Sequence, residues 1–290
     1  MNSETVLSLL KKATEFFNER GVSEAKRSAE HLLAHALGQK RIQLYLRFDQ
    51  PVGDEELELF RSFVRRRLAN EPVQYIVGTT EFYGMEFELT PDVLIPRPET
   101  EHLVEAVVDW VRANAALDNP KLLDIGTGSG CIPIAIAAQL PSCTCTALDV
   151  SEAALDIARR NAMRHGVEDR INFLRHDMLN GALPDEQRFD IIVSNPPYVA
   201  EADIAELQPE IRLHEPMLAI TDNGDGLTFY RRIAGGASTL LTPGGLLAVE
   251  VGYGQSEAVQ RIFLSHNLSV QSIIQDYSGI ARVLLAGRAE

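Results

Sequence analysis

Only three of the 290 residues are cysteine, and two of them, Cys143 and Cys145, are separated by one residue. A bridge between positions so close is strained, so a disulfide framework is excluded and Cys131, Cys143 and Cys145 read as reduced, buried small hydrophobes. Long apolar runs are missing too: none approaches the roughly 20 residues a membrane span needs. The N-terminus, Met1-Asn2-Ser3-Glu4-Thr5, lacks the basic stretch and apolar core of a secretory signal. The expectation is a soluble, cytoplasmic protein with no membrane partner. There is no basic surplus either, since 27 Lys and Arg face 41 Asp and Glu for a formal charge of −14. That balance argues against broad attraction to nucleic acid. The charge is uneven: residues 1–90 carry 12 basic and 14 acidic side chains, residues 91–290 carry 15 and 27. Together with the length, this suggests two modules.

The first seventy residues carry apolar side chains at helical spacing. Val6, Leu9, Leu10, Ala13, Phe16 and Phe17 mark a helix stopped by Gly21. A second, with Ser23 as its expected N-cap, runs through Ala25, Ala29, Leu32, Leu33 and Ala36 to Gly38. A third opens at Asp54 and continues through Leu57, Phe60, Val64 and Leu68. A small helical bundle over 1–71 follows. Between 72 and 95 the period changes, and Phe82, Met85, Phe87 and Leu89 among glycines predict a connecting β-hairpin. A helix with Leu103, Val104, Val107, Val108 and Val111 on one face opens the third segment, 96–290. From Lys121, strands near 122–125, 144–150, 171–174, 189–194 and 246–251 alternate with helices near 130–139, 152–165, 227–241 and 255–266. This predicts an α/β fold with a Rossmann-like, doubly wound sheet. The last two strands, 268–275 and 281–285, are too close for a crossover and predict a C-terminal antiparallel hairpin.

Three motifs carry chemistry. Asp124-Ile125-Gly126-Thr127-Gly128-Ser129-Gly130 ends a strand and opens a helix, as a ligand-cradling glycine loop would. A plain strand-to-helix turn is the alternative, and the dinucleotide fingerprint fails because residue 131 is Cys. Asp149 ends the next strand, where an acid can accept hydrogen bonds from both ribose hydroxyls or serve as a turn residue before Ser151. Ser194-Asn195-Pro196-Pro197-Tyr198 follows the fourth core strand. Its prolines fix the backbone and remove two donors. Asn195 brings an acceptor and a donor, and Tyr198 a flat face. Such a turn can hold a planar NH₂ group by two acceptors.

These three motifs resemble the S-adenosylmethionine-dependent methyltransferases that act on amino or amide nitrogen, among them adenine-N6 and cytosine-N4 DNA methyltransferases and glutamine-N5 protein methyltransferases. Ile95-Pro96-Arg97-Pro98-Glu99-Thr100-Glu101 and the helical N-terminal module narrow the resemblance, which spans nearly the whole chain, to the release-factor glutamine methyltransferases. The resemblance implies S-adenosylmethionine as cofactor and the glutamine of the Gly-Gly-Gln tip of peptide-chain release factors as target. It implies a methyltransferase domain over 96–290 and a substrate-docking role for 1–71. Gly126, Thr127, Gly128, Ser129 and Gly130 would wrap the methionine portion, Asp149 the ribose. Met178 would lie beside the adenine, where relatives often carry an aromatic residue after the Asp177 position. Asn195 would touch both cofactor and substrate and, with Pro196 and Tyr198, be catalytic, while Pro196, Pro197 and Tyr198 complete the glutamine clamp. No metal is expected, and the chain is expected to act as a monomer.

A ribosomal-protein glutamine methyltransferase is similar in layout but usually lacks the Pro-Arg-Pro-Glu-Thr-Glu run. A DNA adenine or cytosine methyltransferase would use the same clamp on a flipped base, yet the catalytic part is acidic and no insert suits target recognition. A cofactor sensor or RNA scaffold would not need an intact clamp. Asp190 and Glu250, on core strands, read either as supporting carboxylates or as capping groups. Arg97 and Glu99 suggest an active-site rim. His31 and His35 lie four apart but lack a third metal ligand. Arg65-Arg66-Arg67 reads as a solvated helix face, or as a local basic patch for a protein partner.

Overall fold

Why the chain divides into two bodies is visible in where its apolar side chains go. The computed structural model describes residues 4–114, 117–181 and 188–289; Met1, Asn2 and Ser3 of the N-terminal reading lie outside them. One unit comprises the chain up to Thr79 together with Gln208–His214, the other Thr80–Leu207 and Glu215 onward.

The first unit is helical. Helix α1 (Val6–Glu19) is capped by Thr5, whose hydroxyl accepts from Ser8 N while Ser8 Oγ accepts from Thr5 N. Helix α2 (Ala25–Ala36) supplies Ala29, Leu32 and Leu33 to a core shared with Val6, Leu9, Phe17, Leu44, Phe60 and Phe63. Ser23 is not the N-cap of α2. That place is taken by Glu24 with a left-handed φ of 48° and no side-chain cap, because the Ser23 hydroxyl donates to Glu210 at 2.7 Å instead. Helix α3 (Arg41–Leu46) is too short to show a period. Helix α4 (Asp54–Leu68) has acids in its first turn and arginines in its last, both favourable to the helix dipole. Helix α5 (Val73–Val77) occupies the start of the expected linker, so the hairpin is confined to β1 (Thr79–Phe82) and β2 (Met85–Glu88).

The Arg triplet is not a continuous patch. Arg66 pairs with Glu71. Arg67 is buried, bonded to Ser23, Ser28, the Glu71 carbonyl and Glu210. His31 is half-buried, and burial lowers its pKa, while His35 packs its ring against Phe63.

The second unit is built on one sheet. In chain order it contains α6 (Glu101–Ala113), β3 (Lys121–Ile125), α7 (Cys131–Gln139), β4 (Thr144–Asp149), α8 (Glu152–Arg164), β5 (Ile171–Arg175) and β6 (Phe189–Ser194). After α9 (Pro209–His214), which belongs to the helical unit, come α10 (Thr228–Leu240), β7 (Leu241–Glu250), α11 (Ser256–Ser265), β8 (Leu268–Gln275) and β9 (Ala281–Arg288). The seven strands lie in the order β5-β4-β3-β6-β7-β9-β8. The first five run parallel, and β9 is antiparallel to both β7 and β8. The expected doubly wound sheet and C-terminal hairpin are therefore present. Strand β7 begins earlier than its apolar run, because Thr242-Pro243-Gly244-Gly245 is absorbed as an irregularity opposite Phe189–Ile191.

Alternation along the strands sends Leu122, Ile191, Val193, Leu246 and Ala248 to one face, under α6 and α7. Leu123, Ile192, Leu247 and Val249 face the other, under α10 and α11. Phe82 and Phe87 pack edge to face, ring centroids 6.1 Å apart, and join the first of these cores. The three cysteines are buried. Asp190 is structural: its carboxylate accepts from Lys121 N and Thr242 Oγ1. No helix among the described residues is long and apolar enough to cross a membrane.

Removing a buried guanidinium that is fully bonded leaves its partners unpaired. Arg67→Ala is expected to destabilise the protein by about 3–5 kcal/mol, read as a lower urea midpoint; an unchanged midpoint would contradict this packing.

Candidate active site

The C-terminal edge of the parallel strands is where the three motifs meet. Strand β3 ends at Ile125, whose in-register partners are Leu148 on β4 and Ser194 on β6. The glycine loop, Asp149 and the Asn195 turn therefore leave the sheet at one level. The sheet changes direction at this edge, since β4 and β5 extend from one side of β3 and β6 and β7 from the other, and such switch points are where open α/β sheets bind ligands.

The loop is held by backbone bonds. Gly126 N and Thr127 N both donate to the Leu148 carbonyl at 2.9 Å. Gly128 N donates to Asp149 Oδ2 and Ser151 N to Asp149 Oδ1, each at 2.9 Å. Each oxygen of Asp149 keeps a lone pair, so the carboxylate braces the turn and still has acceptor capacity left. Burial pushes its pKa up. Gly126 and Gly128 have left-handed φ values of 78° and 53°, and a Cβ on either would meet nothing within 4 Å, so the loop leaves open space. Gly130 differs: its Cβ would press on Ile134 and Ala158 at 2.9 and 3.0 Å, so its role in the packing is to let α7 and α8 approach. Buried Asn161 of α8 pins the loop by donating to the Ser129 carbonyl at 3.0 Å and the Glu88 carbonyl at 3.1 Å.

Asp124, the first residue of the motif, is the acid that sequence reasoning passed over. It is fully buried, and among the described residues neither carboxyl oxygen has a hydrogen bond of good geometry; the Thr127 hydroxyl lies close enough only to offset part of the effect of burial. Burial pushes the Asp124 pKa from an ordinary 3.8 to about 7. An orphaned buried carboxyl beside an open glycine loop suits a cationic guest, and the ammonium of S-adenosylmethionine fits that description. Met178 is packed among the apolar residues of the α10 face, and its carbonyl accepts from Arg232. Asp177 turns away to bond Leu179 N, Asn180 N and Asn180 Nδ2.

On the β6 side, Ser194 Oγ donates to the Ile125 carbonyl at 2.7 Å, tying the two motifs together. Asn195 Nδ2 donates to Thr100 Oγ1 at 3.1 Å, and Thr100 Oγ1 donates to Glu250 Oε2 at 2.6 Å. Tyr198 OH donates to the other oxygen, Glu250 Oε1, at 3.5 Å. Among the described residues, none donates to Asn195 Oδ1 or the Pro196 carbonyl. Tyr198 is braced further: Gln255 Nε2 donates to its carbonyl at 2.8 Å, while a Cβ on Gly226 would come within 2.3 Å of that oxygen. Its phenol pKa is raised by burial and by the Glu250 charge. Glu250, at the end of β7, is a buried acid with its pKa pushed up to about 7 by burial.

Arg97 donates to Glu215 at 2.6 Å, and Glu215 also accepts from Ile95 N. This pair anchors the segment that carries Thr100. Glu99 lies with Tyr83, Pro98 and Tyr277 around a surface cavity.

Comparison with known proteins agrees with this layout. Residues 8–78 match the model described as the PrmC N-terminal domain, and residues 105–218 that of the methyltransferase small domain. The release factor glutamine methyltransferase of Chlorobaculum tepidum is 45% identical over 97% of this chain and 96% of its own length. That of Geobacter sulfurreducens is 44% identical over 97% and 95%. Among solved structures, a methyltransferase from Pyrococcus furiosus superposes with a TM-score of 0.50 at 20% identity, over 78% of this chain and 98% of its own; it shares the fold.

Asp124 makes a prediction about stability. Unfolded, it releases its proton near pH 4; folded, it holds it to about 7. Between those values the folded state binds more protons, so rising pH favours unfolding. The urea midpoint of the ligand-free protein is expected to fall as pH rises through this window. Asp124→Asn should remove much of the fall, leaving the parts due to Glu250 and Asp149, which have the same sign. Equal slopes for variant and wild type would contradict the buried-acid assignment.

Proposed function

The chain belongs to the release factor glutamine methyltransferase family, and we propose that its target is the side-chain amide nitrogen (N5) of the glutamine in the Gly-Gly-Gln motif of peptide-chain release factors. It is an S-adenosylmethionine-dependent enzyme. The observation that supports the reading most is the Asn195-Pro196-Pro197-Tyr198 turn, set beside the glycine loop with two acceptors open.

When bound, S-adenosylmethionine supplies an electrophilic methyl group on a sulfonium centre. The residues that would hold it are Gly126 to Gly130 and Asp124 around the methionine portion, Asp149 at the ribose, and Met178 as an apolar wall for the adenine. An amide nitrogen is a poor nucleophile because its lone pair is delocalised, so positioning must do much of the work. Asn195 Oδ1 and the Pro196 carbonyl accept the two N–H bonds of the glutamine, and Tyr198 offers a face to its planar amide. As positive charge develops on nitrogen its N–H groups become stronger donors, so the same two acceptors bind the transition state more tightly than the ground state. No strong base is needed before transfer: the N–H proton becomes acidic only as the N–CH₃ bond forms and the S–CH₃ bond breaks, and it then leaves to solvent water, the sulfur keeping the electron pair.

The helical unit docks the release factor, the protein acts as a monomer in the cytoplasm, and DNA is not a substrate. The acidic catalytic part, with 15 basic against 27 acidic side chains over 91–290, supports a protein over a nucleic-acid partner.

The test is mass spectrometry of the Gly-Gly-Gln peptide after incubation of purified release factor with enzyme and cofactor. Large-subunit ribosomal protein and duplex DNA are run in parallel. One added methyl on glutamine is expected; transfer to either alternative and not to the release factor would overturn the reading. Asn195→Ala is expected to lower turnover about 100-fold, by analogy with loss of one group that stabilises a transition state. Near-wild-type turnover in a folded variant would remove the clamp assignment.

A further inference from the structure

A side-chain amide has an oxygen and an NH₂ group of nearly equal size, and a half-turn about its terminal torsion exchanges them. At Asn195 that exchange matters. Both groups on the glutamine nitrogen to be gripped are N–H donors, so an Asn195 turned with its own NH₂ outward would meet a donor with a donor. The turn itself does not choose between the two orientations, because the prolines fix backbone and not the Asn side chain.

We propose that Glu250 is a positioning residue: acting through the Thr100 hydroxyl, it holds the Asn195 amide with its oxygen facing the substrate nitrogen. This rests on the reading of the clamp given above. With Glu250 ionised, the geometry sets the proton order. A hydroxyl has one proton to give. Thr100 gives its proton to Glu250 Oε2 at 2.6 Å, a short bond of the kind charged acceptors form. Having given it, Thr100 Oγ1 faces Asn195 only as an acceptor, at 3.1 Å, and so takes the NH₂ end. Asn195 Oδ1 is left on the opposite side. The second oxygen of Glu250 receives Tyr198 OH, and its backbone carbonyl receives Tyr230 OH at 2.8 Å. Glu250 thus accepts from Thr100 and Tyr198 on its carboxylate and from Tyr230 on its backbone carbonyl.

The chain of contacts runs from residue 195 through 100 to 250, and its parts are held separately. Thr100 sits at the start of α6, in the segment fixed by the Arg97–Glu215 pair. Glu250 is paired in register with Val283 on β9. The charged and titratable groups facing Glu250 are Arg282 from β9, Glu99 ahead of α6, Tyr198, Tyr230 from α10 and Cys131 from α7; Arg97 and Arg282 also act on Tyr198. If Glu250 is protonated it can donate to Thr100, whose hydroxyl is then free to turn toward Asn195 and admit the wrong end of the amide. Acidification should therefore weaken the clamp.

Two readouts test this. The first needs no substrate. In protein labelled with ¹⁵N-asparagine, one Nδ2 proton of Asn195 should exchange slowly with solvent. That protection should fall at least about tenfold in Thr100→Val, which replaces the hydroxyl by a methyl of the same shape, and in Glu250→Gln, whose NH₂ can reverse the order of donors. Protection should persist in Thr100→Ser. Unchanged protection in Thr100→Val, in protein that still binds cofactor, would overturn the proposal whatever the substrate.

The second readout is kinetic, with release factor at saturating cofactor. Thr100→Val and Glu250→Gln are each expected to lower kcat about 10- to 100-fold while changing cofactor affinity less than about threefold. Thr100→Ser should recover most of the loss. The double variant should be little worse than the poorer single, because both changes break one chain. The acidic limb of the wild-type pH profile should be absent in Glu250→Gln. Fully additive losses with no rescue by Ser would assign these residues a packing role and contradict the proposal. If wild type methylates no release factor while the exchange result stands, it is the substrate reading that fails.

Discussion

The parallel register of β3 against β6, with Ile125 opposite Ser194, is the constraint on which the site depends. It brings together two turns 69 residues apart in sequence. One opens into α7 through glycines with empty space above them; the other leaves β6 through Asn195 and two prolines. A one-residue slip between these strands would send the alternating apolar residues to the wrong faces, since Ile191 and Val193 serve one core and Ile192 the other. The same packing that stabilises the sheet therefore fixes the distance between the glycine loop and the proposed clamp. Ser194 Oγ, bonded across to the Ile125 carbonyl at 2.7 Å, sets that spacing at the edge itself.

Three acids gather at this edge: Asp124 and Glu250, both buried, and Asp149, which is partly so. Burial raises the pKa of each. A fold would not retain such groups for stability alone, because an uncompensated buried carboxyl costs free energy. Each has an identifiable use in a site for a cationic cofactor and an amide. Asp124 has no hydrogen bond of good geometry among the described residues, both oxygens of Asp149 accept from backbone N–H groups, and Glu250 accepts from the Thr100 and Tyr198 hydroxyls. The acidity of the chain thus takes on a local meaning beyond its effect on distant partners.

Much of this was legible in the sequence. Strong periodicity located α1, α2, α4, α6 and the core strands, and the glycine loop and Asn195 turn announced themselves by residue type. What escaped were features set by tertiary contacts. Helices α3, α5 and α9 have five or six residues each and so no measurable period. Ser23 carries the signature of an N-cap but is drawn to Glu210, 187 positions away. Arg67 looks like one of three exposed arginines, yet its guanidinium is taken into the helical unit by partners that the local pattern does not reveal. Thr100 and Glu250 were both in view as letters, one inside a family-specific run and one at a strand end. Their hydrogen bond spans 150 residues, and no spacing rule reaches so far. Asp124 was hidden by its position, since an acid ending a strand normally reads as a turn residue.

The proposed clamp requires this sheet edge to present Asn195 to the substrate as an acceptor. Hydrogen positions decide it, and a neutron structure of the deuterium-exchanged protein with S-adenosylhomocysteine and a Gly-Gly-Gln peptide would show them. Deuterium is expected on Thr100 Oγ1 pointing to Glu250, with the Asn195 ND₂ group pointing to Thr100 and Asn195 Oδ1 toward the glutamine nitrogen. Deuterium from Thr100 pointing to an Asn195 oxygen, with the ND₂ group facing the glutamine, would contradict it.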